Sequence, residues 1–484
     1  MGERSRGIRH LTALLIACAL AITACGARLT DEQRAAGIGA LGGGEGGGAS
    51  FVDPSDPGSG TGSGTGTDSN GSGVTGPGVT GPSIAPSAPP GGNGGATDVG
   101  VTATELTIAT VSDTTGIQPG LFKSTHDAIQ ALAAMVNSEG GIDGRLLNPV
   151  LIDSKTSSDG NLSGVLQACD KAFALVGSMS AFDDGGAREI DRCGDGDGIP
   201  DISAITVNPD RIFAKNSFPA YPVRPDLVLV GTANYIRQQY PGVETNAAML
   251  FLNAGVTRIN ALQRVKAYEK VGWDFIYTQA VQLAETNYNS YVQALKNHDP
   301  PIKYVSMVAD YQSINRLLKA MRQQQWQPEV LDFDSVVYSP QFHRDAQGAA
   351  EGILFFLNTG MLEESASTPE IQLYQQWLAR VAPGSAADYF GMYAWSAGRL
   401  FVDAAKKAGP RLTREKLLAE LKKITSWTGN GLHAAHNIAA NQAAPCYLYA
   451  TVRGDAFVRV SPASPTAGTN GQTCSANGNQ KVTL

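Results

Sequence analysis

The chain of 484 residues carries 37 basic and 44 acidic residues, a formal net charge of −7. No basic patch or run interrupts this balance, so the composition argues against a nucleic-acid partner. The predicted folded part, about 390 residues long, is sufficient for two domains or lobes with a substantial core.

Residues 1–24 are predicted to be a secretory signal peptide. Three arginines precede the apolar run 11–21, and small residues lie directly before Cys25. This order is typical of a bacterial secretory signal, and a cysteine at the cleavage site resembles the lipobox of bacterial lipoproteins. The resemblance implies that Cys25 becomes the first mature residue and carries a lipid that anchors the protein, because the apolar run is shorter than the roughly 20 residues that span a bilayer. An ordinary secreted protein with an incidental cysteine is the alternative.

Residues 25–97 are predicted to form a disordered, lipid-anchored tether. Gly, Ser, Thr and Pro dominate this stretch, and such a composition cannot bury enough apolar surface to offset its ordering entropy. A flexible chain of roughly 70 residues has an end-to-end distance of about 45–50 Å. The folded part is therefore expected to move above the membrane while it stays attached.

Strands and helices alternate along the rest of the chain. In the first half, strands are predicted at 106–111, 150–152, 174–177 and 202–206, and helices at 124–136, 162–173 and in a segment ending near 193. In the second half, helices are predicted at 227–239, 261–270, 288–296 and 314–324, and strands at 247–252, 274–281, 304–308 and 330–333. Such alternation predicts an α/β protein with two Rossmann-like lobes built on parallel sheets. Ligands of such sheets bind beyond the carboxyl ends of the strands.

Four cysteines of the folded part, Cys169, Cys193, Cys446 and Cys474, form an even set in an oxidising compartment, which favours disulfides. Of the three possible pairings, the two local ones, Cys169–Cys193 and Cys446–Cys474, are favoured because neighbouring elements lie close in space. A zinc site is the competing interpretation, but no CxxC or HxxxH-like cluster supports it.

The acidic segment 195–201 resembles a calcium loop. It lacks the six or so oxygen ligands that calcium requires, so a plain loop is favoured. Neither a metal nor another cofactor is expected.

The segment 137–145, NSEGGIDGR, follows a predicted helix and precedes a predicted strand. It resembles the N-x-x-GGI-x-G-R segment of type I periplasmic binding proteins, the Leu/Ile/Val-binding-like class of ABC-transporter solute receptors for branched-chain amino acids and amides. Its glycines permit the positive φ of a tight turn, so its role is architectural. Further segments resemble the family in the same order: 101–108, 173–177, 389–405 and 445–460.

The resemblance implies two lobes joined by a hinge of three chain crossings, near 221–226, 356–359 and 433–441. Lobe one would comprise 98–223 and 359–434, and lobe two 224–358 and 435–484. Closure of the lobes about such a hinge is a recognised motion of this class.

The resemblance also implies where a ligand binds. Relatives hold a ligand carboxylate with backbone N–H groups and a hydroxyl near 178–182, and offer a carbonyl and a hydroxyl near 203–206. In lobe two, relatives place an acid at the position of Asp334 to pair with the ligand ammonium. The candidate ligand-binding residues are Thr115, Phe122, Ser178, Ser180, Ala181, Phe182, Ser203, Ala204, Thr206, Asn253, Tyr311, Asp334, Ser335 and Tyr389.

Two features of the sequence argue against a direct transfer of the relatives' ligand site to this chain. Asp334 and Ser335 are equally suited to be a helix N-cap. Many relatives carry Tyr-Gly where this chain has Val256-Thr257, which removes an aromatic stacking partner for the ligand.

The resemblance implies an extracytoplasmic, lipid-anchored solute-binding protein, monomeric and without enzymatic activity. It would capture a small polar solute, amino acid or amide-like, and deliver it to the transmembrane subunits of an ABC permease. No G-x-S-x-G or HExxH motif and no nucleophile–base constellation indicates an enzyme. A sensor lipoprotein of the same fold, which signals ligand occupancy to a membrane partner, is the alternative.

Overall fold

The computed structural model describes residues 86–194 and 196–484. The predicted signal peptide, Cys25 and most of the predicted tether lie outside the described residues. The strands are β1 Glu105–Ser112, β2 Leu146–Asp153, β3 Ala174–Val176, β4 Asp201–Ile202, β5 Ile205–Thr206, β6 Tyr221–Pro222, β7 Leu227–Leu229, β8 Ala247–Leu252, β9 Phe275–Val281, β10 Tyr304–Val308, β11 Val330–Phe333, β12 Leu354–Leu357, β13 Cys446–Arg453, β14 Ala456–Ser461, β15 Thr473–Cys474 and β16 Asn479–Lys481.

The α-helices are α1 Lys123–Ser138, α2 Ser158–Lys171, α3 Pro209–Ile212, α4 Gly231–Gln239, α5 Gly255–Lys270, α6 Asn289–Lys296, α7 Tyr311–Gln323, α8 Pro340–Ala346, α9 Pro369–Val381, α10 Tyr389–Ala408 and α11 Arg414–Leu421. Short 3₁₀ helices lie at Ala187–Asp191, Val243–Thr245, Ser335–Val337, Leu362–Ser367 and Gly429–Gly431.

Lobe one is built on a parallel sheet with the strand order β2-β1-β3-β4. Its central strand β1 buries Leu106, Ile108 and Val111 completely. Helix α1 presents an apolar face to the sheet and also packs against α9 and α10, which come from much later in the chain. Lobe one is therefore assembled from two separate stretches of sequence.

Lobe two is built on a mixed sheet with the order β14-β13-β12-β11-β10-β8-β9, to which β15 is added beside β13. The strands from β12 to β9 are parallel, whereas β12, β13 and β14 pair antiparallel. All residues of β8 and β10 are buried, as expected where helices cover both faces of a parallel sheet. The chain passes between the lobes before β7, after β12 and before β13.

The prediction of a helix from residue 227 is wrong at its start. Leu227–Leu229 is strand β7, which pairs antiparallel with β16 at the C-terminus, and helix α4 begins only at Gly231. The apolar run Leu-Val-Leu fits either a strand or a helix locally. A partner about 250 residues further along the chain decides in favour of the strand.

Two other predictions are corrected. The strand predicted at 202–206 is interrupted: β4 and β5 are separate, with Ser203 and Ala204 between them. The helix predicted to end near Cys193 is the short 3₁₀ helix Ala187–Asp191.

The folded part begins before residue 98, inside the stretch assigned to the tether. The Arg145 guanidinium, buried in lobe one, donates hydrogen bonds to the carbonyl oxygens of Asn93 (2.6 Å) and Gly95 (3.1 Å). The Asn93 side chain in turn donates to Ala103 O (2.8 Å). The arginine of the glycine-rich segment therefore holds the chain where it enters lobe one.

Both predicted disulfides are confirmed: Cys169 is bonded to Cys193, and Cys446 to Cys474. The first ties α2 to the loop after the 3₁₀ helix, and the second ties β13 to β15. Within residues 86–194 and 196–484, no group of three or more His, Cys, Asp or Glu side chains is placed to hold a metal ion. No helix of the same residues is both long and apolar enough to cross a membrane.

Candidate ligand-binding cleft

A cavity of about 210 Å³ lies between the two lobes, beyond the carboxyl ends of the central strands. Lobe one, the hinge and lobe two all contribute to its wall. Most of the lining side chains are apolar; they include Leu121, Phe122, Met179, Phe182, Val207, Val223, Leu229, Leu252, Val256, Leu283, Val308, Val336, Phe356 and Phe390. The cleft therefore has the apolar walls of a small-molecule site, and its volume, below the usual range of about 300–1,000 Å³, suits a small solute.

The two lobes are in direct contact across this cleft. The Val256 N–H of lobe two donates to the Ala181 carbonyl oxygen of lobe one at 3.1 Å. The Gln118 side chain of lobe one donates to Asp310 Oδ2 of lobe two at 2.7 Å, and both side chains are buried. The structure is thus the closed form of a two-lobed molecule.

Gly255 makes this approach possible. It has φ of +49°, and a Cβ atom there would lie 2.0 Å from the Ala181 carbonyl oxygen. A residue with a side chain would both strain the backbone and separate the lobes.

The structure places some of the predicted ligand-binding residues on the cavity wall and others away from it. Those on the wall are Phe122, Ala181, Phe182, Asp334, Ser335 and Tyr389. Those outside the lining are Thr115, Ser178, Ser180, Ser203, Ala204, Thr206, Asn253 and Tyr311.

The hydroxyls near residue 180 are hydrogen-bonded within lobe one. Ser180 Oγ donates to Asp113 Oδ1 (2.9 Å), and the Ala181 N–H donates to Asp113 Oδ2 (2.7 Å). Ser178 Oγ accepts from the Val111 N–H (3.0 Å). Burial raises the pKa of Asp113, although these hydrogen bonds oppose the rise. The two serines therefore shape the loop that carries Ala181 and Phe182.

The hydroxyls of the second predicted cluster are also paired internally. Ser203 Oγ and Thr206 Oγ1 lie 2.6 Å apart and are both buried. Thr115 Oγ1 donates to the Asp153 carboxylate, and backbone N–H groups add to it; despite partial burial, these bonds hold the pKa of Asp153 below its usual range. These side chains stabilise the turns around the cleft.

Asp334 already has a cationic partner. Its Oδ1 atom lies 2.6 Å from Arg264 Nη1, and the two side chains are 18% and 8% exposed. Although burial lowers it, the carboxylate of Asp334 raises the pKa of Arg264 above its ordinary value, so the guanidinium stays charged. Asp334 occupies the N-cap position of the 3₁₀ helix that follows, as the alternative interpretation expects, but its side chain makes no capping hydrogen bond there.

Several polar residues of the cleft were missed from the sequence, among them Arg264, Gln118 and Asp310. Asp310 directly follows β10, so the rule that ligands bind beyond strand ends could have identified it. Arg264 lies on the buried face of α5 beside Ala261 and Ala267, and a charge at such a position is a usable signal. Gln118 has no local signal, because only closure of the lobes brings it to Asp310.

Several solved structures of binding proteins share this fold. The leucine binding protein LivK from Thermotoga maritima has a TM-score of 0.61 and 16% identity, with 74% of this chain and 98% of that chain covered. The LivJ protein from Streptococcus pneumoniae, solved in complex with isoleucine, has a TM-score of 0.62 and 14% identity, with 74% and 100% covered. A fatty acid ABC transporter substrate-binding protein from Thermomonospora curvata has a TM-score of 0.65 and 18% identity, with 82% and 96% covered.

No curated protein sequence matches this chain. The family model described as periplasmic binding protein matches residues 105–456, which is more than half of the chain. The predicted type I fold, with parallel-sheet cores and a three-crossing hinge, is confirmed by this match together with the structural neighbours. The chain therefore belongs to the periplasmic binding protein family.

Proposed function

We propose that this protein is an extracytoplasmic lipoprotein that captures a small organic solute between its lobes and delivers it to the transmembrane subunits of an ABC permease. Family membership and a closed cavity walled by both lobes support solute capture. The lipobox-like sequence before Cys25 supports anchoring, with the protein working as a tethered monomer.

The cleft favours a solute with an apolar body and no net charge. Its wall is mainly apolar, and its charged groups are already paired: Arg264 with Asp334, Arg224 with Asp226, and Asp310 with Gln118. Among the neutral polar groups of the wall, the buried Oε1 atom of Gln263 makes no hydrogen bond within the described residues. A free amino acid would bring an ammonium and a carboxylate into this cavity, and each would need a charged partner. The amide-like part of the expectation from sequence therefore fits better than the amino-acid part.

The ligands for which the structural neighbours are named are compatible with an uncharged, largely apolar solute. The Thermomonospora curvata protein is named for fatty acids, and the Thermotoga maritima protein for leucine. One fold thus serves receptors named for ligands of different polarity. The pairing of Arg264 with Asp334 is the observation that supports a largely apolar ligand for this chain.

A thermal-shift screen of the full mature chain tests the proposal. The panel contains leucine, isoleucine and valine, neutral aliphatic and aromatic amides, and medium-chain fatty acids, followed by calorimetry on each compound that raises Tm. A ligand at about 100 times its Kd should stabilise the fold by about 2.7 kcal/mol. We expect the neutral, largely apolar compounds to bind. Tight binding of the branched-chain amino acids alone would refute the ligand class.

A double substitution sharpens the test. Arg264→Gln with Asp334→Asn removes both charges of this ion pair. An apolar ligand should bind this variant within about threefold of the parent, whereas an amino acid held by the pair should lose about 100-fold or more. The exposed pair Lys407–Asp403, changed in the same way, is the matched control.

A further inference from the structure

The last 23 residues, 462–484, lie beyond both the family match and the final strand of the hairpin, β14. We propose that this segment, here called the C-terminal brace, fastens the three hinge crossings to one another and restrains the opening of the lobes. The inference rests on the proposed function only in taking lobe opening as the step that admits and releases solute.

The brace holds the first crossing through β16. This strand pairs with β7 at Asn479–Leu229, Gln480–Val228 and Lys481–Leu227, directly after the crossing. The Val482 N–H donates to the Asp226 carbonyl oxygen at 3.0 Å. Asn479 also reaches the cavity wall, so the brace completes the cleft as well as the hinge.

Two side-chain amides, those of Gln472 and Asn470, hold the second and third crossings. Gln472 Nε2 donates to the Asn358 carbonyl oxygen at 2.9 Å, and Gln472 is completely buried. Asn470 Nδ2 donates to the His433 carbonyl oxygen at 2.7 Å. Asn470 and Gln472 are only two residues apart. One short stretch of the brace is therefore hydrogen-bonded to both the second and the third crossing.

Asn358 connects the crossings further. Its Oδ1 atom accepts from the Tyr221 hydroxyl in the first crossing (2.8 Å), and its Nδ2 atom donates to the Cys446 carbonyl oxygen (2.7 Å). The Cys446–Cys474 disulfide then bonds the brace covalently to the same strand, β13.

The brace also orients a contact between the lobes. Arg459, on β14 of lobe two, donates from Nη1 to the Gly471 carbonyl oxygen and from Nε to Glu364 Oε1, both at 2.6 Å. Glu364 lies in the 3₁₀ helix Leu362–Ser367, after the second crossing. Arg459 is only 6% exposed in this ion pair, so the brace helps to hold a buried charge across the hinge.

These contacts converge on the residues that must move. Hinge residues absorb the φ/ψ changes of domain closure. The brace donates a hydrogen bond to a carbonyl oxygen in each crossing: Asp226 in the first, Asn358 in the second and His433 in the third. Removing these bonds should therefore let the crossings move more freely and the lobes part more often.

Hydrogen–deuterium exchange of the full mature chain, without any ligand, tests the brace. The first variant combines Asn470→Ala with Gln472→Ala, and the second ends at Gly478 and so lacks β16. The reporters are the Gly360 N–H, bonded to Leu432 O at the hinge, and the Val256 N–H, bonded to Ala181 O across the cleft.

We expect about fivefold faster exchange at both reporters for each hydrogen bond removed, while exchange in β1 is unchanged. Asn477→Ala, at an exposed position of the brace, is the matched control and should exchange like the parent.

Two results would overturn the inference. Unchanged exchange at Gly360 and Val256 would mean that the brace does not restrain the hinge. Equal acceleration in β1 would mean that the segment only adds to global stability. Because no ligand is present, a failure of the ligand screen leaves this test unaffected, and a failure here leaves the proposed solute binding unaffected.

Discussion

Asp334 is the residue whose role changes most between sequence and structure. At the end of β11 it occupies a position suited either to a ligand ammonium or to a helix N-cap, yet its carboxylate lies 2.6 Å from Arg264. Arg264 precedes it by 70 residues, and only the folding of lobe two brings the two together.

Asp334→Asn should therefore destabilise the protein, contrary to the expectation for a capping residue. Asn leaves the charge of Arg264 without a partner, and breaking a buried ion pair in this way costs about 3–5 kcal/mol. We expect a value near 3 kcal/mol, because the Asp334 side chain is 18% exposed. Urea unfolding of the variant and the parent measures this loss of unfolding free energy.

The control for this substitution is Asp403→Asn, which breaks an exposed pair with Lys407 and should cost about 0–1 kcal/mol. Equal unfolding free energies for Asp334→Asn and the parent would show that the Arg264 pair does not stabilise the fold.

Asp332 should make stability depend on pH. Burial raises the pKa of its carboxyl to about 7, although hydrogen bonds from the Tyr304 and Tyr449 hydroxyls and the charge of Arg264 oppose the rise. The folded protein thus keeps a proton that the unfolded chain, with a pKa of about 3.9, releases. This contribution to stability is complete below about pH 4 and is lost as the pH rises through about 7.

Asp332→Asn removes this proton and preserves an acceptor for the Tyr304 hydroxyl. We expect the substitution to raise the unfolding free energy at about pH 8 and to change it little at about pH 4. Unfolding curves at the two pH values measure the difference, and an identical effect at both would contradict the assignment.

At the scale of elements, the strands of the lobe-two core follow directly from local pattern. β8, β10 and β11 have the predicted bounds, because short, mainly apolar runs are readable without knowledge of their neighbours. β7 is different, since its identity depends on β16 at the other end of the chain.

The junction between β8 and α5 carries a prediction about closure. Gly255→Ala would add a Cβ atom 2.0 Å from the Ala181 carbonyl oxygen and strain a residue with φ of +49°. The lobes should fold normally but close incompletely, so the solute identified by the screen should bind about tenfold or more weakly by calorimetry.

Gly242→Ala is the control that separates the effect of backbone strain from the effect of incomplete lobe closure. Gly242 also has a positive φ, of +93°, but a Cβ atom there would meet nothing closer than Lys303 Nζ at 3.9 Å. This variant should lose some stability and keep its affinity. Full affinity in Gly255→Ala would show that the contact with Ala181 is not needed for binding.

At the scale of the whole molecule, attachment to the membrane depends on Cys25, which lies outside the described residues. Cys25→Ser should leave unprocessed precursor or release the protein into the medium, because the lipid is the proposed anchor. Cell fractionation and immunoblotting measure this. Membrane retention of mature Cys25→Ser protein would contradict the lipobox interpretation, and Cys18→Ser within the signal peptide is the control.

The sequence by itself determined the fold class, the alternation of elements, the two local disulfides and the family, because each of these depends on short-range pattern or on order along the chain. It also identified loops at strand ends, which supply Ala181, Phe182 and Asp334 to the cavity wall. Which polar side chains are free to meet a solute was decided only by the tertiary structure. Ser180 and Asp334 find partners far away along the chain, Asp113 and Arg264, and a buried polar group that is already paired has little left to offer a ligand.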